Sequence, residues 1–137
     1  MAVQIGGAAL LVEALGRAKH PGNIETHQLQ IVDAVSGASL PGSLVTVDMS
    51  APGLSDNAFA YAMLPSAITL AANTNYYIVS QETAGAGHDI FYDANTVIQT
   101  TAVAVVTSGV YFDTATSSYK PASTLNNSYG PVDFKYD

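Results

Sequence analysis

The sequence contains no cysteine and no tryptophan, and only four of its 137 residues are lysine or arginine. The lack of cysteine excludes disulfide bonds and thiolate metal sites, and it leaves the redox compartment undetermined. Eleven acidic residues against four basic ones give a net charge of -7. Proteins that bind nucleic acids or anionic membranes present a positively charged surface, which this composition does not supply. We therefore expect neither a nucleic acid nor a membrane as a partner.

A long apolar segment is also missing. Residues 1–19 are apolar in part, but Glu13 interrupts the run and no basic stretch precedes it. The run is shorter than the roughly 20 residues that span a membrane, and it lacks the layout of a signal peptide. Charged residues make up only 11% of the chain, and its wealth of Thr, Ser, Ala, Val and Gly is typical of secreted all-β modules. We expect a secreted, extracellular protein whose export signal lies upstream.

Alternating apolar and polar residues predict strands along most of the chain. Residues 27–34 place two glutamines, Gln28 and Gln30, on the face opposite to the apolar one. Three further segments alternate in the same way and set these residues together: Val45, Val47 and Met49; Phe59, Tyr61 and Met63; and Val132, Phe134 and Tyr136. Turn sequences rich in Gly, Pro, Asn and Ser separate the segments at hairpin-like intervals.

Two segments have less distinct patterns. Residues 96–112 form a near-continuous β-branched run, which predicts one long strand or two consecutive strands buried on both faces. Residues 8–18 contain helix-favouring Ala, Leu and Glu, but they lead directly into a turn, and we favour a first strand there. About eight to ten strands without a helix predict one domain over residues 1–137, an antiparallel β-sandwich of jelly-roll or immunoglobulin-like type.

Motifs for catalysis are absent from the sequence. It has no G-x-S-x-G, no P-loop and no H-E-x-x-H, and GAGHD at 85–89 lacks the third glycine of a dinucleotide-binding turn. Glu82 with Asp89 or Asp93 would be the carboxylate pair of a glycosidase. Eleven acidic residues on an all-β chain produce such pairs by chance, however, and we therefore expect no enzyme.

Two groups of residues are candidates for a metal site. His20 and His27 flank a turn, but two imidazoles without a third ligand favour surface or capping histidines over a zinc site. Glu82, Asp89 and Asp93 offer the hard oxygen ligands that Ca²⁺ takes. The segment lacks the central glycine and the terminal glutamate of an EF-hand. A solvated acidic loop that binds no metal is therefore the alternative to a calcium site.

Four tyrosines lie outside the alternating core positions of the predicted strands: Tyr92, Tyr111, Tyr119 and Tyr129. A tyrosine ring has a flat apolar face and a hydroxyl edge, which suits the apolar C–H face and the hydroxyl groups of a pyranose ring. Six polar residues are expected to supply hydrogen bonds to such a sugar: Gln81, Glu82, His88, Asp89, Asn126 and Asn127. The alternative is that each tyrosine covers an edge of the core with its hydroxyl in water.

The segments YYIVSQET at 76–83 and YGPVDFKY at 129–136 are the clearest parts of a likeness that covers almost the whole chain. They resemble a bacterial β-sandwich module that is appended to secreted glycoside hydrolases. The resemblance implies a non-catalytic carbohydrate-binding module of the kind linked to an endoglucanase. Such modules often carry Trp where this chain has Ile90 or Phe91, so we expect Tyr92 to take the stacking role.

The residues and the resemblance together favour a module that binds β-glucan chains, namely cello-oligosaccharides, mixed-linkage glucan or xyloglucan. Its expected role is to bring a linked glycoside hydrolase domain to the polysaccharide. We expect no required cofactor, with Ca²⁺ as the one candidate. The competing hypothesis is a structural spacer or adhesin-type sandwich, in which the same tyrosines pack against neighbouring domains.

Overall fold

The structure is a computed structural model that describes residues 1–56, 58–91, 96–97, 101–122, 125, 127–128 and 132–137. Within these residues it contains thirteen β-strands and no helix, and therefore no helix long and apolar enough to cross a membrane. The all-β class that the alternation predicted is confirmed. The favoured strand within residues 8–18 is also confirmed, because the second strand occupies most of that segment.

The strands form two main antiparallel sheets and two small ones. In chain order they are β1 (Ala2–Ile5), β2 (Leu10–Ala18), β3 (Thr26–Asp33), β4 (Val45–Asp48), β5 (Leu54–Ser55), β6 (Phe59–Leu70), β7 (Asn75–Ser80), β8 (Thr96–Val97), β9 (Ala104–Ser108), β10 (Val110–Asp113), β11 (Ser118–Pro121), β12 (Asn127–Ser128) and β13 (Val132–Tyr136). The five-stranded sheet has the order β4-β3-β7-β1-β9, and the four-stranded sheet has the order β13-β2-β6-β5. The pairs β10-β11 and β12-β8 are separate two-stranded sheets.

The hydrophobic core lies between the two main sheets. The five-stranded sheet contributes residues such as Leu29 and Ile31, and the four-stranded sheet contributes Leu15, Val132 and Phe134. The alternation predicted the shared faces of β3, β4 and β13 correctly. Burial of this apolar surface stabilises the fold by roughly 25 cal/mol for each Å² removed from water. The architecture is therefore the antiparallel β-sandwich that the sequence indicated.

Strand β6 turns the side chains of Ala60, Ala62 and Leu64 toward the core. Ala60 and Leu64 belong to the core cluster, whereas Met63, on the other face, is 58% exposed. Tyr61 shares the outer face with Met63, yet it is only 2% exposed. The burial of Tyr61 therefore has a local cause outside the main core.

A glycine on the neighbouring strand provides that cause. Gly16 of β2 pairs with Tyr61, and the tyrosine ring occupies the space next to Gly16 that a side chain would need. The Tyr61 hydroxyl lies 2.7 Å from Asp133 Oδ2 and 3.0 Å from Asp56 Oδ2. Lys135 Nζ lies 4.1 Å from the ring centroid and covers its face. These contacts bury the ring on the outside of the four-stranded sheet.

The β-branched run at 96–112 does not form a continuous buried segment, and that prediction was wrong. It is divided among β8, β9 and β10, and residues 98–100 lie outside the described part. Within β9 only Val106 is buried, and in β10 the side chains of Tyr111 and Phe112 are 54% and 51% exposed. The reason is topological: β9 is an edge strand, and β10 pairs within the described chain with β11 alone.

We expect Gly16→Ala to lower the free energy of unfolding by roughly 1 to 3 kcal/mol, as overpacking substitutions do. A Cβ atom at this position would lie 2.5 Å from the Tyr61 ring, so the ring has to move. Gly7→Ala is the matched control, because a Cβ atom there meets nothing within 4 Å. Urea denaturation of both variants measures the difference, and equal stabilities would contradict this account of Tyr61.

Candidate functional site

A cleft of about 580 Å³ lies between the β10-β11 hairpin and the five-stranded sheet, and it reaches the core residues Met1, Ile78 and Val132. Its floor includes Gln28 and Gln30 of β3, which alternate with buried residues and point away from the core. Gln81 follows directly after β7, and its backbone amide donates to the Gln28 carbonyl oxygen over 2.9 Å. Side chains that face each other across an antiparallel pair are neighbours. The floor therefore carries adjacent amide groups, and Gln28 and Gln81 are both exposed.

The β10-β11 hairpin forms an aromatic wall of this cleft. Phe112 pairs with Tyr119 across the hairpin, and their ring centroids lie 5.1 Å apart. Tyr119 also packs on Tyr77 of β7 with a centroid distance of 5.2 Å, which holds the hairpin on the sheet. Burial raises the pKa of the Tyr119 hydroxyl, while a hydrogen bond with Gln30 acts in the opposite direction. Tyr111 and Phe112 stay more than half exposed, so a ligand can reach both rings.

The predicted sugar-binding residues divide into three groups. Four of them line the cleft: Tyr111, Tyr119, Gln81 and Glu82. His88 and Asp89, further along the loop that follows β7, are not among its lining residues. Tyr92, Tyr129 and Asn126 fall outside the described residues, as does the side chain of Asn127.

Gln28, Gln30 and Phe112 are among the cleft-lining residues that the sequence reasoning did not single out. The alternation of β3 already placed both glutamines on the outer face, and a polar pair on an exposed sheet face is a usable signal. Phe112 gave no comparable signal, because it ends a β-branched run that was expected to be buried. Its exposure depends on the hairpin leaving the main sheet.

A network of charged side chains, here called the loop latch, holds the loop after β7. It consists of Arg17, His27, Glu82 and Asp89. Asp89 is 7% exposed, and its carboxylate accepts the backbone N–H groups of Ile24 (2.7 Å) and Glu25 (3.0 Å). Burial on its own would raise the pKa of Asp89, but the hydrogen bonds from Ile24, His27 and Glu25 outweigh it and hold the pKa below the usual value.

The second part of the loop latch is a bidentate ion pair. Arg17 is 2% exposed, and it donates from Nε to Glu82 Oε1 (2.9 Å) and from Nη2 to Glu82 Oε2 (2.8 Å). Arg17 Nη2 also lies 3.3 Å from the carbonyl oxygen of Ile90, in the same loop. Because Arg17 belongs to β2 and Glu82 follows β7, the pair links the four-stranded sheet to the five-stranded one.

His27 connects the two parts of the loop latch. Its Nδ1 lies 3.2 Å from the Gln81 carbonyl oxygen and 3.3 Å from Glu82 Oε2, and its Nε2 lies 3.1 Å from Asp89 Oδ2. All three neighbours are acceptors, so the ring donates on both sides only when both nitrogens carry a proton. His27 is 5% exposed on the inner face of β3, and the expectation of a surface or capping histidine was wrong for it.

These contacts bear on the predicted calcium ligands. Both Glu82 oxygens face Arg17, both Asp89 oxygens accept hydrogen bonds, and Asp93 lies outside the described residues. Within the described part of the chain, Glu25, His27 and Asp89 form the one group of three possible ligands whose atoms all lie within 4.8 Å of one another. This mixed nitrogen and oxygen group differs from the all-oxygen set that Ca²⁺ takes.

We expect Asp89→Asn to lower the free energy of unfolding by roughly 2 to 3 kcal/mol at pH 7, because a buried charged acceptor of three hydrogen bonds is lost. The folded-state pKa of Asp89 is lowered, so its contribution is complete above the ordinary value of about 3.9 and disappears as the pH falls through the folded value. In urea denaturation from pH 7 to pH 2, the free energies of unfolding of the parent and the variant should therefore converge as the pH falls. A constant difference across this range would contradict the role of the charge.

We expect EDTA to leave the melting temperature unchanged. The carboxylates of Glu82 and Asp89 are already held by Arg17 and by backbone N–H groups, so the fold needs no ion to balance them. An ion that binds only the folded state would stabilise it by mass action. A fall of several degrees in EDTA, reversed by added CaCl₂, would contradict this expectation and establish a calcium site.

The chain matches no known protein-family model, no curated protein and no solved structure. Its resemblance to carbohydrate-binding modules therefore depends on the sequence segments alone. A functional assignment has to come from the described residues themselves. The cleft with its aromatic wall and amide floor, and the loop latch beside it, are the features on which such an assignment can be built.

Proposed function

We propose that the protein is a non-catalytic carbohydrate-binding module that holds a β-glucan chain in the cleft beside the five-stranded sheet. The observation that carries this proposal is the combination of exposed rings and amides in one open cleft. Tyr111 and Phe112, on alternate faces of β10, line it from the hairpin, and Gln28 and Gln81 line it from the sheet. Its volume of about 580 Å³ is within the usual range of roughly 300 to 1,000 Å³ for ligand sites.

The chemistry of these side chains matches that of a pyranose ring. An aromatic face packs against the apolar C–H face of the sugar, while a glutamine amide both donates to and accepts from hydroxyl groups. A few such contacts give a Kd on the order of 10 to 100 μM, or roughly -5.5 to -7 kcal/mol. This affinity is sufficient for a module tethered to an enzyme, because tethering raises the effective concentration.

The carboxylates near the cleft support binding rather than hydrolysis. Glycosidases generally use two carboxyl groups across the scissile bond. Among the described residues that line the cleft, Glu82 is the only acidic one, and Arg17 binds both of its oxygens. Asp89 is buried in the loop latch. We propose accordingly that a linked glycoside hydrolase, outside the cell, supplies the chemistry.

We expect Tyr111→Ala and Gln81→Ala each to weaken binding of mixed-linkage glucan about fivefold to tenfold, which corresponds to roughly 1 to 1.4 kcal/mol. Both side chains are exposed, so the melting temperature should stay within a few degrees of the parent value. Tyr136→Ala is the matched control. Tyr136 lies on β13 in the other main sheet and is 38% exposed. Affinity gel electrophoresis and thermal melts measure the two effects.

The result that overturns the proposal is unchanged binding in both cleft variants while the parent is retarded by the glucan. Loss of binding in the Tyr136→Ala control would place the surface elsewhere. A parent protein that is retarded by none of mixed-linkage glucan, xyloglucan or hydroxyethylcellulose would also overturn it. The structural spacer or adhesin-type hypothesis would then replace the proposal.

A further inference from the structure

A second, smaller hollow adjoins the cleft. It has a volume of about 260 Å³, and Glu25, His27, Thr83 and their neighbours line it. Gln28 and Gln81 line both the hollow and the larger cleft. The two spaces therefore adjoin at this pair of amides. Together they are here called the groove, with the cleft as its aromatic part and the hollow as its polar part.

The polar part of the groove carries a negative charge. The Glu25 carboxylate accepts the backbone N–H of Asp89 over 2.7 Å and lies 3.0 Å from His88 Nδ1. The hydrogen bond from the Asp89 backbone, followed by the one from His88, lowers the pKa of Glu25. Glu25 is therefore ionised at neutral pH, and its side chain is 36% exposed.

No lysine or arginine is among the described residues that line either part of the groove. The aromatic part contains Glu82, and the whole chain has a net charge of -7. Arg17 balances Glu82, so the Glu25 carboxylate and the net charge are what an anionic ligand would meet, with no lysine or arginine among the described lining residues to bind it. Exposed charges interact over about 10 Å at 0.1 M ionic strength and over a longer range in dilute salt.

We infer that the groove accepts an uncharged glycan chain along both of its parts and excludes a carboxylated or sulfated one. This inference rests on the proposed function, and it adds a discrimination by charge that the aromatic wall alone does not provide. The rings hold the apolar face of one sugar, and the amides and the polar part hold the hydroxyl groups of its neighbours. Glu25 is the residue that a carboxylate on the chain would approach.

Two soluble derivatives of the same β-glucan backbone test this discrimination. Hydroxyethylcellulose is neutral, and carboxymethylcellulose carries carboxylates on substituents of similar size. At about 20 mM salt we expect carboxymethylcellulose to bind about tenfold more weakly than hydroxyethylcellulose, as measured by isothermal titration calorimetry. The difference should shrink at about 0.5 M NaCl, where charges are screened within a few ångströms.

Glu25→Gln separates the local charge from the net charge. The glutamine oxygen can still accept the Asp89 N–H, so the loop keeps this contact while the groove loses one charge. We expect this variant to reduce severalfold the ratio between its own affinities for hydroxyethylcellulose and carboxymethylcellulose, so that any loss of hydroxyl contacts affects both polymers and leaves the ratio to report the charge. Asp137→Asn is the matched control, since it changes the net charge equally at an exposed position beyond β13 and should leave the discrimination unchanged.

Equal binding of both polymers by the parent protein at low salt would overturn the inference and leave the proposed function standing. Equal effects of Glu25→Gln and Asp137→Asn would also overturn it, because the exclusion would then come from net charge rather than from the groove. Failure of the parent to bind either polymer would overturn the proposed function and the inference together.

Discussion

The bidentate pair between Arg17 and Glu82 joins the two main sheets at one end of the sandwich. Only four residues of the chain are basic, and this one lies almost completely buried on β2. An unpaired buried charge is strongly destabilising, so the guanidinium requires a carboxylate partner. Glu82 supplies it and thereby fixes the chain just beyond β7, where Gln81 joins the floor of the cleft. The shape of the candidate site depends on this pair.

The same pair begins the chain of contacts that ends at the groove. His27 lies between Glu82 and Asp89, and Asp89 anchors the backbone at Ile24 and Glu25. Glu82 and Asp89, which were predicted to contact a sugar, thus use their carboxylates to position the loop. The rings and amides that face the cleft stand on strands and on a docked hairpin, and rigid elements of this kind hold a binding surface more accurately than a free loop does.

The alternation of apolar residues predicted the sandwich and the outward direction of Gln28, because period-two burial is a local property of a strand. It placed Tyr61 on the apolar face of its strand, whereas the ring is buried on the outside of the sheet, against Gly16 of the paired strand. It also predicted Phe112 to be buried, because the local sequence does not show that β10 leaves the main sheet. The loop latch joins residues more than sixty positions apart, and such pairing follows from the topology rather than from any short motif.

An NMR titration of the ¹⁵N-labelled protein with cellohexaose tests the central claim most directly, because backbone amide shifts locate the ligand without any substitution. The account predicts changes concentrated at Gln28, Gln81 and the β10-β11 hairpin, with the outer face of β2 and β13 unaffected. Changes concentrated on the four-stranded sheet, or no changes at millimolar ligand, would contradict it.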